Sequence, residues 1–255
     1  MDPALTLIEA LQSLPSEAVC ILSFLVVSAS LFLTARFFGK SGLLIYSVLA
    51  LLVGNIQVLK GISVSFWDTP IAMGTTIFSA TFVISDILTQ VYGKKDAFRA
   101  VLLGFWSTFL VAILMTLALG VRPLGVPVTH PDFHFDAAHE AMMVLFAPAP
   151  RLLLASLTAY LVSQALDITL FDWLKRTTPL PLVLRAAVTT ALAFFVDNTV
   201  FSLLAWRLFS PTPVPWDSLF YSYIMGTYFV RVGVSILFLP LIASVCKTLS
   251  KRRLP

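Results

Sequence analysis

Tyr160–Lys175, YLVSQALDITLFDWLK, sets an amide, Gln164, and a carboxylate, Asp167, inside a run that otherwise reads as a membrane-spanning helix. Tyr160, Gln164, Asp167 and Phe171 stand at i, i+4, i+7 and i+11, which is one stripe of a helix. Further on, Thr190, Phe194, Asp197 and Phe201 repeat those offsets, and Asp167-x-Thr169-x-Phe171 recurs as Asp197-x-Thr199-x-Phe201. A lone Asp at mid-bilayer costs roughly 2.5–3.5 kcal/mol, so such residues face a bundle interior or a wet cavity. The pair is therefore the expected centre of function.

The rest of the chain makes a membrane reading unavoidable. Of 255 residues 58% are hydrophobic and 12% charged, with a mean hydropathy of +0.93, whereas soluble domains are about 25% charged. Net charge is +4 and the isoelectric point about 9.2, yet the basic residues sit at the ends of apolar runs and form no single patch, which argues against nucleic acid. The acidic start, with Asp2, Glu9 and Glu17, lacks the basic region of a cleaved signal, so the first apolar run is expected to be a permanent helix.

Apolar runs long enough to cross a core of about 30 Å occur about seven times. They fall near 18–38, 43–59, 71–92, 101–121, 152–174, 186–206 and 219–245. The expected fold is all-α: a polytopic membrane helix bundle of six to seven transmembrane helices forming a single transmembrane domain. Arg36 and Lys40, then Lys94, Lys95 and Arg99, then Lys175, Arg176 and Arg185, and finally Lys247, Lys251, Arg252 and Arg253 all fall on one side. The other side receives Lys60, Arg122, Arg151 and Arg207. The positive-inside rule then puts the N-terminus outside and the C-terminus in the cytoplasm. Cys20 and Cys246 fall on opposite sides and should not pair.

The loop 122–150 is extracytoplasmic on this topology and holds every histidine. His130, His134 and His139 with Asp132, Asp136 and Glu140 are metal-ligand types, but their spacing fits no strong signature. A solvated loop leading into a short interfacial helix over 137–146 is the expectation, with no metal and no cofactor. Gly39-Lys40-Ser41 resembles the end of a phosphate-binding loop, but Thr34 stands where its first glycine belongs.

Depth follows from counting 1.5 Å per residue from the nearest basic anchor. Asp86 and Asp167 come out about 12 Å deep, Gln164 about 16 Å and Asp197 about 18 Å, near the midplane. Asn55 and Arg231, at about 22–24 Å, fall in the outer half. Asp86 shares a stripe with Gln90, Ser79 and Val83, and Arg231 one with Tyr223, Thr227 and Ser235. Three carboxylates and one guanidinium at such depths would cost on the order of 10 kcal/mol facing lipid, so they must be clustered, paired or wet. Simple helix-to-helix pairing accounts for any one of them, but the acids outnumber the one deep base.

A cavity lined by carboxylates, amides and rings suits a flat, hydrogen-bond-donating solute. A carboxylate accepts two parallel bonds from an N–H edge such as guanine's, and Phe194 or Phe201 can stack on a heterocycle. Catalysis has less support: there is no membrane-embedded Ser/His/Asp set, no HExxH and no paired glycine-aspartate motif.

Ser85-Asp86-Ile87-Leu88-Thr89-Gln90-Val91-Tyr92-Gly93-Lys94-Lys95 with Arg99, then Ala159-Tyr160, Ser163-Gln164 and Asp167, then Asp197-Asn198-Thr199-Val200-Phe201, resemble the signature blocks of the queuosine precursor transporters. The similarity runs from about Leu43 to Val245. The resemblance implies import of a 7-deazaguanine base (the cyano or aminomethyl base, or queuine) across a bacterial cytoplasmic membrane by a secondary transporter. It carries the family's acidic and amide positions onto Asp86, Gln90, Gln164, Asp167, Asp197 and Asn198. With Asn55 and Arg231 from the depth argument, these are the expected substrate-binding residues. Here an additional N-terminal span and the histidine-bearing loop extend the family's six-span plan. The partners expected are the base and the lipid bilayer, with a homo-oligomer left open and no nucleic acid. Two other readings stay in play. One is a substrate-binding subunit of an ATP-driven energy-coupling vitamin transporter, for which only Ser30 and Thr34 approach the small-residue pattern; the other is a membrane-embedded enzyme or scaffold.

Overall fold

A computed structural model of the chain describes residues 3–65, 67–123, 135–146 and 149–252. His130, Asp132 and His134 lie outside the described residues. After a short α1 (Pro3–Gln12) comes α2 (Ser16–Gln57), then a hairpin of β1 (Gly61–Val64) and β2 (Trp67–Ala72). The chain continues through α3 (Thr75–Val91), α4 (Lys94–Leu119), α5 (Phe135–Phe146), α6 (Ala149–Thr177) and α7 (Leu182–Leu203). A short α8 (Trp216–Ser218) and α9 (Thr227–Lys251) complete it. Among the described residues five helical segments are long and apolar enough to cross a membrane, and α3 is a shorter apolar helix. The fold is an all-α polytopic membrane bundle.

At 1.5 Å per residue the 42 residues of α2 would reach about 63 Å, twice a hydrocarbon core. Gly39 divides them: its φ of 58° and ψ of −131° lie where only glycine sits without strain, so α2 comprises two legs meeting at a sharp bend. The legs pack on each other, with the Ser30 and Tyr46 hydroxyls 2.8 Å apart. Gly93, at φ 98°, makes the equally abrupt turn from α3 to α4.

Two features depart from the sequence expectation. The run expected as a span from 71 begins its helix only at Thr75, because Gly61–Ala72 forms an antiparallel hairpin pairing Gly61 with Ala72 and Ile62 with Ile71. The β-branched residues there favour extended backbone, and Pro70 is barred from a helix interior. The second departure is in the last third of the chain, where wide π-helical turns follow α7 at Leu204–Leu208 and join α8 to α9 at Leu219–Gly226.

The bundle is apolar outside and polar within. Leu102, Trp106, Leu117, Phe229 and Leu237 are exposed, while Asp86, Gln164, Asp167, Asp197 and Arg231 are buried. In lipid the hydrophobic residues need no interior, and polar ones need each other. α3 is the hub: it packs on α2, α4, α6, α7 and α9, and every residue from Ser79 to Thr89 is buried. The apolar core around it includes Leu31, Leu51, Ile84, Ile87, Ile168 and Phe238.

Candidate functional site

The stripe Tyr160, Gln164, Asp167 and Phe171 is entirely buried, on the face of α6 that meets α3 and α7. The structure sorts the predicted polar residues around it into two clusters.

The first is organised by α7 and α9. Arg231 donates from Nη1 to Asp197 Oδ2 at 2.6 Å and also to Asn198 Oδ1. Its guanidinium lies 4.5 Å from the Phe194 ring centroid and 5.0 Å from that of Phe78. Asp197 Oδ1 accepts from Ser163 at 2.9 Å, so both carboxylate oxygens are engaged. Asn198 Nδ2 donates to the Ile224 carbonyl and the Thr227 hydroxyl. This pulls the π-helical stretch before α9 against α7.

The second is organised by α3 and α6. Asp167 Oδ2 accepts from Ser85 at 3.1 Å, and Asp86 Oδ2 accepts from Thr190 at 3.4 Å. The two carboxylates are close enough for their charges to interact. Neither makes an ion pair among the described residues, and Oδ1 of each is buried without a hydrogen-bond partner. Gln164 donates to Thr81 at 3.1 Å, while its Oε1 is likewise buried and unpartnered. Each such acceptor costs about 1–3 kcal/mol while it has no donor. Three acceptors therefore face inward with unused capacity. Arg231 Nη2 and Arg185 Nε are the corresponding unused donors.

The cytoplasm-directed end, on the positive-inside reading, is closed by groups the sequence reading had assigned to topology. Arg185 is 8% exposed: it donates to Gln90 Oε1 at 3.1 Å, lies 5.4 Å from the Phe171 ring and is within electrostatic reach of Asp86. Lys175 donates to the Gln90 carbonyl at 2.9 Å. Arg185 was legible in principle. It precedes Thr189, Ala193 and Asp197 at successive four-residue steps, so it lies on the buried stripe of α7. Among the described residues two guanidinium groups, Arg185 and Arg231, are thus buried, where the sequence reading counts one deep base.

Asn55 lies apart from both clusters, accepting from Ser156 at 3.2 Å and donating to Leu51. Ser156 precedes Tyr160 and Gln164 on the α6 stripe, so Asn55 stands two turns outward along the same face. The expected stripe of Tyr223, Thr227, Arg231 and Ser235 is buried only in part: Arg231 and Ser235 are inside the bundle, while Thr227 and Tyr223 are exposed, and Tyr223 lies in π-helical turns over Leu219–Gly226 that do not keep the 3.6-residue period. Of the two rings expected near a heterocycle, Phe194 is fully buried, edge-on to Phe82 at 4.7 Å, while Phe201 packs on Trp206 instead. Among the described residues no group of three or more His, Cys, Asp and Glu is placed to hold a metal.

The family described as "Putative vitamin uptake transporter" matches residues 72–245, which include all the predicted site residues except Asn55. A relative from Bacillus subtilis (strain 168), "Probable queuosine precursor transporter", is 29% identical over 205 residues, covering 80% of this chain and 82% of that protein. No solved structure matches the chain.

Proposed function

This chain belongs to the vitamin uptake transporter family, and we propose on that basis that it imports queuosine precursors across the bacterial cytoplasmic membrane. The substrate is a 7-deazaguanine: the cyano base, the aminomethyl base or queuine. The chain acts as a secondary transporter, one transmembrane domain with its C-terminus in the cytoplasm.

One observation carries the reading. Asp86, Asp167 and Gln164 each bury an oxygen with no donor, and a guanine-like edge is a row of N–H donors with no acceptor between them. Binding such an edge satisfies acceptors that otherwise remain unpaired, so these three residues favour a solute that turns N–H donors toward them. Asp197, Asn198 and Arg231 form the adjoining wall, where Arg231 Nη2 can donate to a carbonyl or ring nitrogen of the base. Phe194 and Phe82 supply ring faces beside it. Gln90 lines the inner end and Asn55 the outer approach.

The test is uptake of labelled precursor by cells carrying Asp167→Asn or Asp197→Asn. Both variants should reach the membrane and lose uptake: at Asp167 an amide replaces an unused acceptor oxygen with a donor, and at Asp197 the change leaves Arg231 without its carboxylate. Normal uptake by both would sink the proposal. Transport by the purified chain alone in liposomes excludes the reading as a subunit of an ATP-driven transporter. Conversion of the base by the purified chain would favour an enzyme.

A further inference from the structure

The block Gly93-Lys94-Lys95 with Arg99 takes no part in the buried clusters, yet it shapes a surface feature of its own. The turn at Gly93 presents Lys94, Lys95 and Arg99 along one side of a groove of about 530 Å³, with Arg176, from the end of α6, on the other. Phe98 and Leu102 complete the lining.

The charge there is unbalanced. Lys40 bonds Asp96 at 2.8 Å and Arg99 bonds the same oxygen at 3.1 Å, while Arg176 takes Asp172 at 3.0 Å. Lys94 lies 5.7 Å from the Phe98 ring centroid. Lys95 is exposed and meets no carboxylate among the described residues. Lys40, Lys94, Lys95, Arg99 and Arg176 thus stand against only Asp96 and Asp172. The side chains of Arg99 and Arg176 are 68% and 73% exposed, leaving guanidinium donors open to an anion.

What continues from the groove narrows the class of anion. Phe98, Leu102, Trp106 and Leu110 follow at four-residue steps, one stripe of α4, and the last three are exposed on the outer face of the bundle. A soluble phosphate would use the cations and leave the stripe idle. A molecule with an anionic head and an apolar tail uses both, and basic pockets between helices on the cytoplasmic side suit acidic head groups.

We infer that the groove between α4 and α6 is a binding site for an anionic phospholipid, its phosphate on Lys95, Arg99 and Arg176 and an acyl chain along Leu102, Trp106 and Leu110. The site is separate from the buried clusters and does not depend on what they transport.

The full chain, purified in a neutral detergent, is titrated with dioctanoyl phosphatidylglycerol, dioctanoyl phosphatidylcholine and inorganic phosphate, with bound species counted by native mass spectrometry. Saturable binding of phosphatidylglycerol, much tighter than of the other two, is expected. The triple variant K95Q/R99Q/R176Q should weaken it roughly 100-fold, at about one tetrahedral-phosphate contact's worth per cation. Removing equal charge at the end of α9, K247Q/K251Q/R252Q, should leave it unchanged. If the triple variant does not fold, Arg176→Gln alone should weaken binding roughly fivefold. Equal binding of both lipids, or equal weakening by the two triple variants, overturns the site. Phosphate binding as tightly as the lipid overturns the lipid assignment in favour of a soluble anion.

Discussion

Asp197 and the pair Asp86–Asp167 are buried alike but solved differently. Asp197 has a guanidinium on one oxygen and a hydroxyl on the other. Asp86 has the Thr190 hydroxyl, Asp167 has the Ser85 hydroxyl with that of Thr189 beside it, and each acid has the other's charge. A buried ion pair with its hydrogen bonds satisfied is self-contained, and breaking it strands a charge. Two neighbouring carboxylates with no cation bonded to either keep acceptor capacity unused, and they gain from any donor that reaches them. The first arrangement holds α7 to α9; the second leaves acceptor capacity unused between α3 and α6.

The sharpest way to break this contrast is Arg231→Met. It strands Asp197, and a loss of about 3–5 kcal/mol is expected, read as thermal unfolding in detergent. Adding Asp197→Asn should recover much of that loss. An unchanged melting temperature for Arg231→Met would show that the ion pair is not what holds α7 to α9. Hydroxyl removal should separate the clusters next. Ser85→Ala takes a hydroxyl from Asp167, which has no guanidinium bonded to it, and should cost about 1.5–3 kcal/mol, whereas Ser163→Ala leaves Asp197 its guanidinium and should cost about 0.5–1.5 kcal/mol. Equal losses would mean the two acids are equally supported. The smallest change is expected for Asp86→Asn, within about 1 kcal/mol, since it removes a charge that has no cation bonded to it. A loss as large as that of Arg231→Met would show that Asp86 is tied into an ion pair after all.

Much of this was legible in the sequence, for a physical reason: a polar side chain in an apolar run has few places to go. Asp86, Gln164, Asp167 and Asp197 are buried in the bundle as their stripes imply, and Asn198 and Arg231 are buried beside them. What escaped was context. Arg185 stands near basic neighbours at a helix start and so looks like a topology signal, and only the packing of α7 on α3 turns it inward. Which acid meets a guanidinium is a question of helix neighbours, since Asp197 and Arg231 are 34 residues apart. Tyr223 and Thr227 are exposed at the end of the stripe that buries Arg231, and residue counting also misses the π-helical turns that hold Tyr223. The hairpin at Gly61–Ala72 was hidden by apolar β-branched residues that hydropathy cannot tell from the start of a span.

The wide turns at Leu219–Gly226 also decide where this chain tolerates a change in length. One residue lost there can be absorbed by tightening a π turn to an α turn, leaving α9 and Arg231 facing as they do. The same deletion within Thr75–Val91, α-helical throughout, would turn everything beyond it by about 100° and swing Asp86 away from Asp167. Insertions and deletions among relatives should therefore gather in the last third of the chain and avoid its central helix.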